Sequence, residues 1–169
     1  MHTVVVTGAS SGIGRATAIR FARDGAAVLA VGRKANVLDE VAQEVARAGG
    51  ACQTLAIDVT ASSAPDAIVT AAARAFGGIT TLVNAAGIIA TGTIENTTDA
   101  AWDEMLDINL RAPFRLMRAA IPHLTETARA TAPASSASVV NVSSVTGLRA
   151  FPGVLAYCVS KAGIDQLTR

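Results

Sequence analysis

The stretch Thr7-Gly8-Ala9-Ser10-Ser11-Gly12-Ile13-Gly14 decides the fold. It follows the β-branched run Val4-Val5-Val6 and precedes a segment in which Ile13, Thr17 and Phe21 fall at i, i+4 and i+8, with Ala22 beside them and Gly25 as the stop. Glycines set between a strand and a helix let the backbone turn tightly and approach a pyrophosphate at the positive end of the helix dipole. A glycine triplet alone fits a ligand-free turn equally well; the strand before it and the helix after it make it a candidate dinucleotide cradle. The spacing is G-x-x-x-G-x-G, not the commoner G-x-G-x-x-G.

Outward from this stretch the pattern repeats. Short β-branched runs alternate with Ala-rich segments of helical period, as expected of βαβ units around a parallel sheet. The strands expected are His2 to Val6, Val28 to Val31, a third ending over Leu55 to Ile57, Ile79 to Val83, and Val139 to Val142. Between them, Leu38, Val41, Ala42 and Val45 mark an amphipathic helix that stops at Gly49-Gly50. Ser63-Ala-Pro-Asp66 reads as a capping box, with Asp in the Glu place, opening a helix through Ile68 and Ala72 to Phe76. One long helix is expected from about Asp99 to His123, with Trp102, Met105, Leu106, Phe114 and Met117 available for packing. Pro113 interrupts it and cannot donate to the Asn109 carbonyl four residues back, which leaves that oxygen free for water. Thr125 to Ser138 holds only small, polar and charged residues and reads as a surface loop; a last helix is expected from about Gly153 to Arg169. The fold class is therefore α/β, a three-layer doubly wound parallel sheet forming one domain over residues 1–169.

Composition excludes several function classes. With 169 residues, 51% apolar and 16% charged, the chain suits a globular domain that needs no disulfide or metal staple. A net charge of +1 without a dense basic run argues against nucleic acid or an anionic membrane as partner. The longest apolar run, Ala26 to Val31, falls far short of the ~18 residues that a membrane span needs, and a cytoplasmic location is expected. Cys52 and Cys158 read as small buried side chains, and His2 and His123 lack a second ligand at metal spacing, so no metal site is expected.

Two further motifs follow predicted strands: Asn84-Ala85-Ala86-Gly87 and Tyr157-Cys-Val-Ser-Lys161. On a helix Tyr157 and Lys161 share one face, so a lysine ammonium near the phenol lowers its pKa from about 10 toward working pH and makes it a useful acid and base. With the glycine motif, in this order and context, the chain resembles the short-chain dehydrogenase/reductase family over essentially its whole length. The resemblance implies a Rossmann-like sheet and reversible hydride transfer between a nicotinamide and a carbonyl or secondary alcohol, as in a 3-oxoacyl reductase or a general ketone reductase.

Residue by residue, the resemblance implies the following roles. Ser144 holds the reacting carbonyl, with Ser143 as rival and Gly147 favouring Ser144. Tyr157 exchanges the proton, and Lys161 lowers the Tyr157 pKa and grips the nicotinamide ribose. Asn109 supports a relay water through its backbone carbonyl. Gly8, Ser10, Ser11, Gly12, Ile13 and Gly14 hold the pyrophosphate, Asp58 and Val59 the adenine, and Asn84 and Gly87 complete the cofactor site. At the end of the second strand Gly32-Arg33-Lys34 stands where relatives that prefer NAD carry an acid, so NADP(H) is favoured over NAD(H), Arg33 being the phosphate-binding candidate. Ser11 departs from the basic residue that many NADP-preferring relatives carry there. Leu148, Phe151 and Pro152 fit either a substrate wall or packing. The resemblance also implies a homodimer or homotetramer through the long helices. Family members run to about 250 residues, so the chain reads as truncated after Lys161, with its C-terminal strands missing and strand five an open edge. The alternative reading is a non-catalytic dinucleotide-binding fragment.

Overall fold

The computed structural model describes residues 2–131 and 137–169. Five strands, β1 (Thr3–Thr7), β2 (Ala27–Gly32), β3 (Ala51–Ala56), β4 (Thr81–Asn84) and β5 (Ser138–Asn141), form one parallel sheet in the order 3-2-1-4-5. Helices α1 (Gly12–Arg23), α2 (Ala35–Arg47) and α3 (Ala64–Phe76) follow the first three strands. After β4 come α4 (Asp99–Leu106), a π-helical turn (Asp107–Arg111) and α5 (Ala112–Thr131); after β5 come a 3-10 turn (Val145–Gly147) and α6 (Leu155–Thr168).

The period-2 alternation of the central strands builds two cores. Val4, Val6, Val28 and Ala30 face α1 and α2, meeting Ala18, Ala22, Leu38, Val41 and Val45. Val5, Leu29 and Val31 point the opposite way to Ile68, Val69, Ala72, Leu116, Ala120 and Leu124 on α3 and α5. A strand buried on both faces has no polar side to show, which is why β1 and β2 read as unbroken apolar runs. The reversal of strand order between β1 and β4 opens a crevice above their C-terminal ends, where such sheets take ligands.

Several local expectations are corrected. The single helix from Asp99 is three segments: the Ala112 N–H bonds the Asp107 carbonyl five residues back, and the π turn absorbs the missing donor of Pro113 instead of a simple kink. Helix α5 continues past His123 to Thr131 despite Pro122, because amphipathic packing through Leu116, Ala120 and Leu124 outweighs one lost bond. Much of the expected loop Thr125 to Ser138 is thus helical, and its positions 132–136 lie outside the described residues.

Ser63 makes no capping hydrogen bond. Its backbone is helical (φ −82°, ψ −11°), so the hydroxyl is not aimed at the Asp66 amide as a capping box requires. The helix start is held by backbone bonds instead, Ala64 N–H to the Ala61 carbonyl and Ala67 N–H to the Ser63 carbonyl. Phe114, expected to be available for packing, is exposed beneath the Arg118 guanidinium, and Leu116 is buried instead. Ile13 is 62% exposed at the mouth of the crevice, leaving Gly14, Ala18 and Ala22 as the buried face of α1. Both cysteines are only half-buried, and burial still pushes the Cys52 thiol up to about 11.

Candidate active site

A cleft of about 460 Å³ lies over the C-terminal ends of β1 to β4. One wall is the glycine stretch. Gly8 turns with φ +66°, and a β-carbon there would stand 2.7 Å from the Ala86 amide, so only glycine lets the first loop press against the loop after β4. Gly14 meets the Gly8 carbonyl in the same way, which seats the start of α1 on the turn. The α1 ladder begins with Arg15 N–H to the Ser11 carbonyl. The amides of Gly12, Ile13 and Gly14 before it have no carbonyl one turn back, and the Ser11 side chain caps none of them. These donors line the cleft at the positive end of the helix dipole.

The far wall holds Gly32, Arg33, Ile57, Asp58 and Val59, and the third Ala85, Ala86, Gly87 and Ile88. Asp58 accepts from the Thr60 amide at 2.9 Å and the Thr60 hydroxyl at 2.7 Å. These bonds, then the Arg33 charge, hold its carboxyl below the usual range, so its contribution to stability is present above about pH 4 and fades as pH falls through the lowered value. Arg33 is exposed and, among the described residues, has no ion-pair partner within contact distance. The chemistry of this lining fits a dinucleotide: bare amides for a pyrophosphate, apolar Ile57 and Val59 for a flat ring, and a cation at the ribose end.

Of the sequence-derived cofactor residues, Gly8, Ser10, Ser11, Gly12, Ile13, Gly14, Arg33, Asp58, Val59 and Gly87 line one cleft. Asn84 does not. It is buried, and its amide donates to Asn141 Oδ1 at 2.8 Å, tying β4 to β5. The sequence reading also passed over Thr7. Its hydroxyl accepts from the Ala85 and Ala86 amides, both at 3.2 Å, and so fixes the loop that carries Gly87. The only signal was a hydroxyl residue ending an apolar strand.

Ser144, Tyr157 and Lys161 are absent from the cleft lining. Lys161 is buried; its Nζ donates to the Val142 carbonyl at 2.7 Å and lies 5.7 Å from the centre of the Tyr157 ring. Burial pushes the Lys161 ammonium below its ordinary pKa, opposed by Asp165 one helical turn on. Gly87 joins the two regions: a β-carbon there would lie 3.8 Å from Lys161 Nζ and 3.2 Å from Asn109 Oδ1. Ser144 caps the 3-10 turn, its oxygen accepting from the Thr146 amide at 3.2 Å, and among the described residues its hydroxyl donates to no neighbour. The Ser143 hydroxyl instead donates toward the Lys161 carbonyl at 3.5 Å. Asn109, 1% exposed on the π turn, accepts from the Ile88 amide at 2.8 Å and donates to the Ile88 carbonyl at 2.9 Å.

No helix among the described residues is long and apolar enough to cross a membrane. The family profile for short chain dehydrogenase matches residues 2–169. Among curated proteins the chain is 36% identical over 165 residues to a 2,5-dichloro-2,5-cyclohexadiene-1,4-diol dehydrogenase of Sphingobium indicum, covering 98% of this chain and 63% of the relative. It is 38% identical to a 3beta-hydroxysteroid dehydrogenase of Mediterraneibacter gnavus, covering 98% and 58%, and 32% identical to a 3-oxoacyl-[acyl-carrier-protein] reductase of Thermotoga maritima, covering 98% and 64%. A crystal structure named as that of a candidate short-chain alcohol dehydrogenase from Sinorhizobium meliloti 1021 superposes with a TM-score of 0.91 at 30% identity, over 99% of this chain and 64% of that one. The chain thus spans about 63% of the length of the first of these relatives.

Proposed function

Because the chain belongs to the short-chain dehydrogenase family, we propose that it holds NADP(H) in the glycine-walled cleft and serves reversible hydride transfer with a ketone or secondary alcohol. The observation that carries this reading is the junction at Gly87, which puts the Lys161 amine, the Tyr157 ring and Asn109 at the edge of a cleft lined by unpartnered helix amides. When bound, the cofactor supplies the hydride acceptor or donor. The amides of Gly12, Ile13 and Gly14 hold its pyrophosphate, Arg33 holds the 2′-phosphate, Asp58 and Val59 hold the adenine, and Gly87 lies against the ribose side.

The rest falls to the chain's own acid–base groups. The Ser144 hydroxyl donates to the substrate oxygen and orients it. Tyr157 gives a proton to that oxygen in reduction and takes it in oxidation. The Lys161 ammonium stands beside the Tyr157 ring as its charged partner; because burial already lowers the Lys161 pKa, that charge is lost earlier on raising pH than on an exposed lysine. Asn109 anchors the loop after β4, and its carbonyl, which Pro113 cannot reach with an N–H, holds the water that passes the proton outward. By the same resemblance we propose self-association through α4, α5 and α6.

The test is Tyr157→Phe in the 169-residue chain. Turnover of NADPH with a panel of ketones is expected to fall by about 10²- to 10⁴-fold while NADPH fluorescence still reports binding. Wild-type rates in the Phe variant would refute the role of Tyr157. The fragment reading expects cofactor binding without turnover in the unmodified chain.

A further inference from the structure

Ser160 lies between the two residues of the proposed acid–base pair in sequence and is fully buried, 0% exposed. Its hydroxyl has a complete set of partners. It donates to the Tyr157 carbonyl at 2.8 Å and accepts from Asn109 Nδ2 at 3.1 Å. Asn109 in turn holds both backbone polar groups of Ile88, and this double clasp fixes which end of its amide is oxygen and which is nitrogen. The result is a continuous polar chain from the loop after β4, through the π turn, to the backbone of α6 at Tyr157.

We propose that Ser160 is a positioning residue, whose hydroxyl keys α6 to the Asn109–Ile88 junction and thereby fixes where Tyr157 and Lys161 stand relative to the cleft. The proposal rests on the acid–base reading of that pair. A helix packed only by apolar contacts can slide or rotate by fractions of a residue at little cost, whereas a buried hydrogen bond admits one register. Lys161 follows Ser160 directly, and its Nζ comes 3.8 Å from the β-carbon position of Gly87, the residue before Ile88. A shift of α6 against the junction therefore changes the spacing of amine, phenol and cleft together. The charged groups on the elements packed against α6 are Asp99, Asp103 and Glu104 of α4 and Asp107 and Arg111 of the π turn, and α6 itself adds Asp165. Asp107 and Arg111 pair with each other, and none of the others forms an ion pair with Lys161 among the described residues.

Removal of the hydroxyl leaves no stranded donor, because Asn109 Nδ2 keeps the Ile88 carbonyl and Met105 Sδ as acceptors. Ser160→Ala should therefore fold. The chain contains one tyrosine, so tyrosinate absorbance reports Tyr157 alone, with no cofactor or turnover required. In Ser160→Ala the titration midpoint is expected to rise by about 0.5 to 1 pH unit, a 3- to 10-fold loss of phenolate. Lys161→Met is the reference and is expected to raise the midpoint further.

An unchanged midpoint in folded Ser160→Ala, with a raised one in Lys161→Met, overturns the positioning role and leaves the acid–base reading standing. An unchanged midpoint in Lys161→Met overturns that reading and the positioning role with it. A purely structural serine would lower the melting temperature without moving the midpoint, which also counts against the proposal. Should the alanine variant fail to fold, Ser160→Cys, with its weaker donor, is titrated in its place: a raised midpoint supports the role and a wild-type one overturns it.

Discussion

At the residue scale, cofactor choice turns on one exposed cation. Arg33 lines the cleft where β2 ends, and among the described residues no carboxylate pairs with it closely enough to neutralise it. A phosphate on the ribose would meet a free guanidinium, a charge-assisted contact worth about 1.5–3 kcal/mol. Arg33→Ala is accordingly expected to weaken NADPH binding by about 10- to 100-fold and NADH binding by less than about threefold, read by fluorescence titration of both cofactors. Equal losses for the two would place Arg33 on the shared diphosphate instead. Residue types at this site were legible in the sequence because their spacing follows from strand ends and helix turns. Asn84 was not, since its partner Asn141 lies across the sheet and no local pattern announces a side-chain bond between neighbouring strands. Thr7 escaped for the same reason: its two amide donors come from a loop 78 and 79 positions away.

At the scale of elements, the strand–turn–helix unit imposes different demands on two of its glycines. Gly12 has φ +53° but open space around its missing side chain, whereas Gly14 lies in an ordinary conformation against the Gly8 carbonyl. Gly12→Ala should cost about 1–2 kcal/mol of backbone strain and leave a bound cofactor detectable. Gly14→Ala must push the turn itself out of place, so NADPH binding is expected to vanish and the melting temperature to fall further than for Gly12→Ala; the reverse ranking would contradict the seating of α1 on Gly8. Helices α2 and α3 were legible from apolar periodicity, whereas α1 was legible as a helix but buries Gly14, Ala18 and Ala22 rather than the Ile13–Thr17–Phe21 stripe. The break before Pro113 was legible only as a missing donor. Whether that donor is replaced by a kink or a π turn depends on what packs around it, here Asn109 clasping Ile88 and Ser160. The Ser63 capping box failed because the preceding turn at Ala61 had already set its backbone.

At the scale of the whole molecule, the described sheet ends on β5, whose Val140 is 46% exposed and whose outer backbone groups have no neighbouring strand. An apolar edge of this kind recruits other strands. The 169-residue chain is therefore expected to show concentration-dependent scattering, and Val140→Lys to reduce it several-fold without altering NADPH binding. Scattering that is indifferent to this charge would locate self-association elsewhere, as on α5, where Phe114 and Ile121 are also exposed.

The sequence by itself determined the alternation of strands and helices, the glycine turn, the parallel sheet and the list of chemically able residues, because each depends on neighbours within a turn or two of chain. Tertiary structure alone decided which of those residues share a cleft and that Ser160 joins α6 to Asn109. Those outcomes depend on how side chains from distant segments satisfy one another's hydrogen bonds once buried, and one-dimensional periodicity holds no record of that.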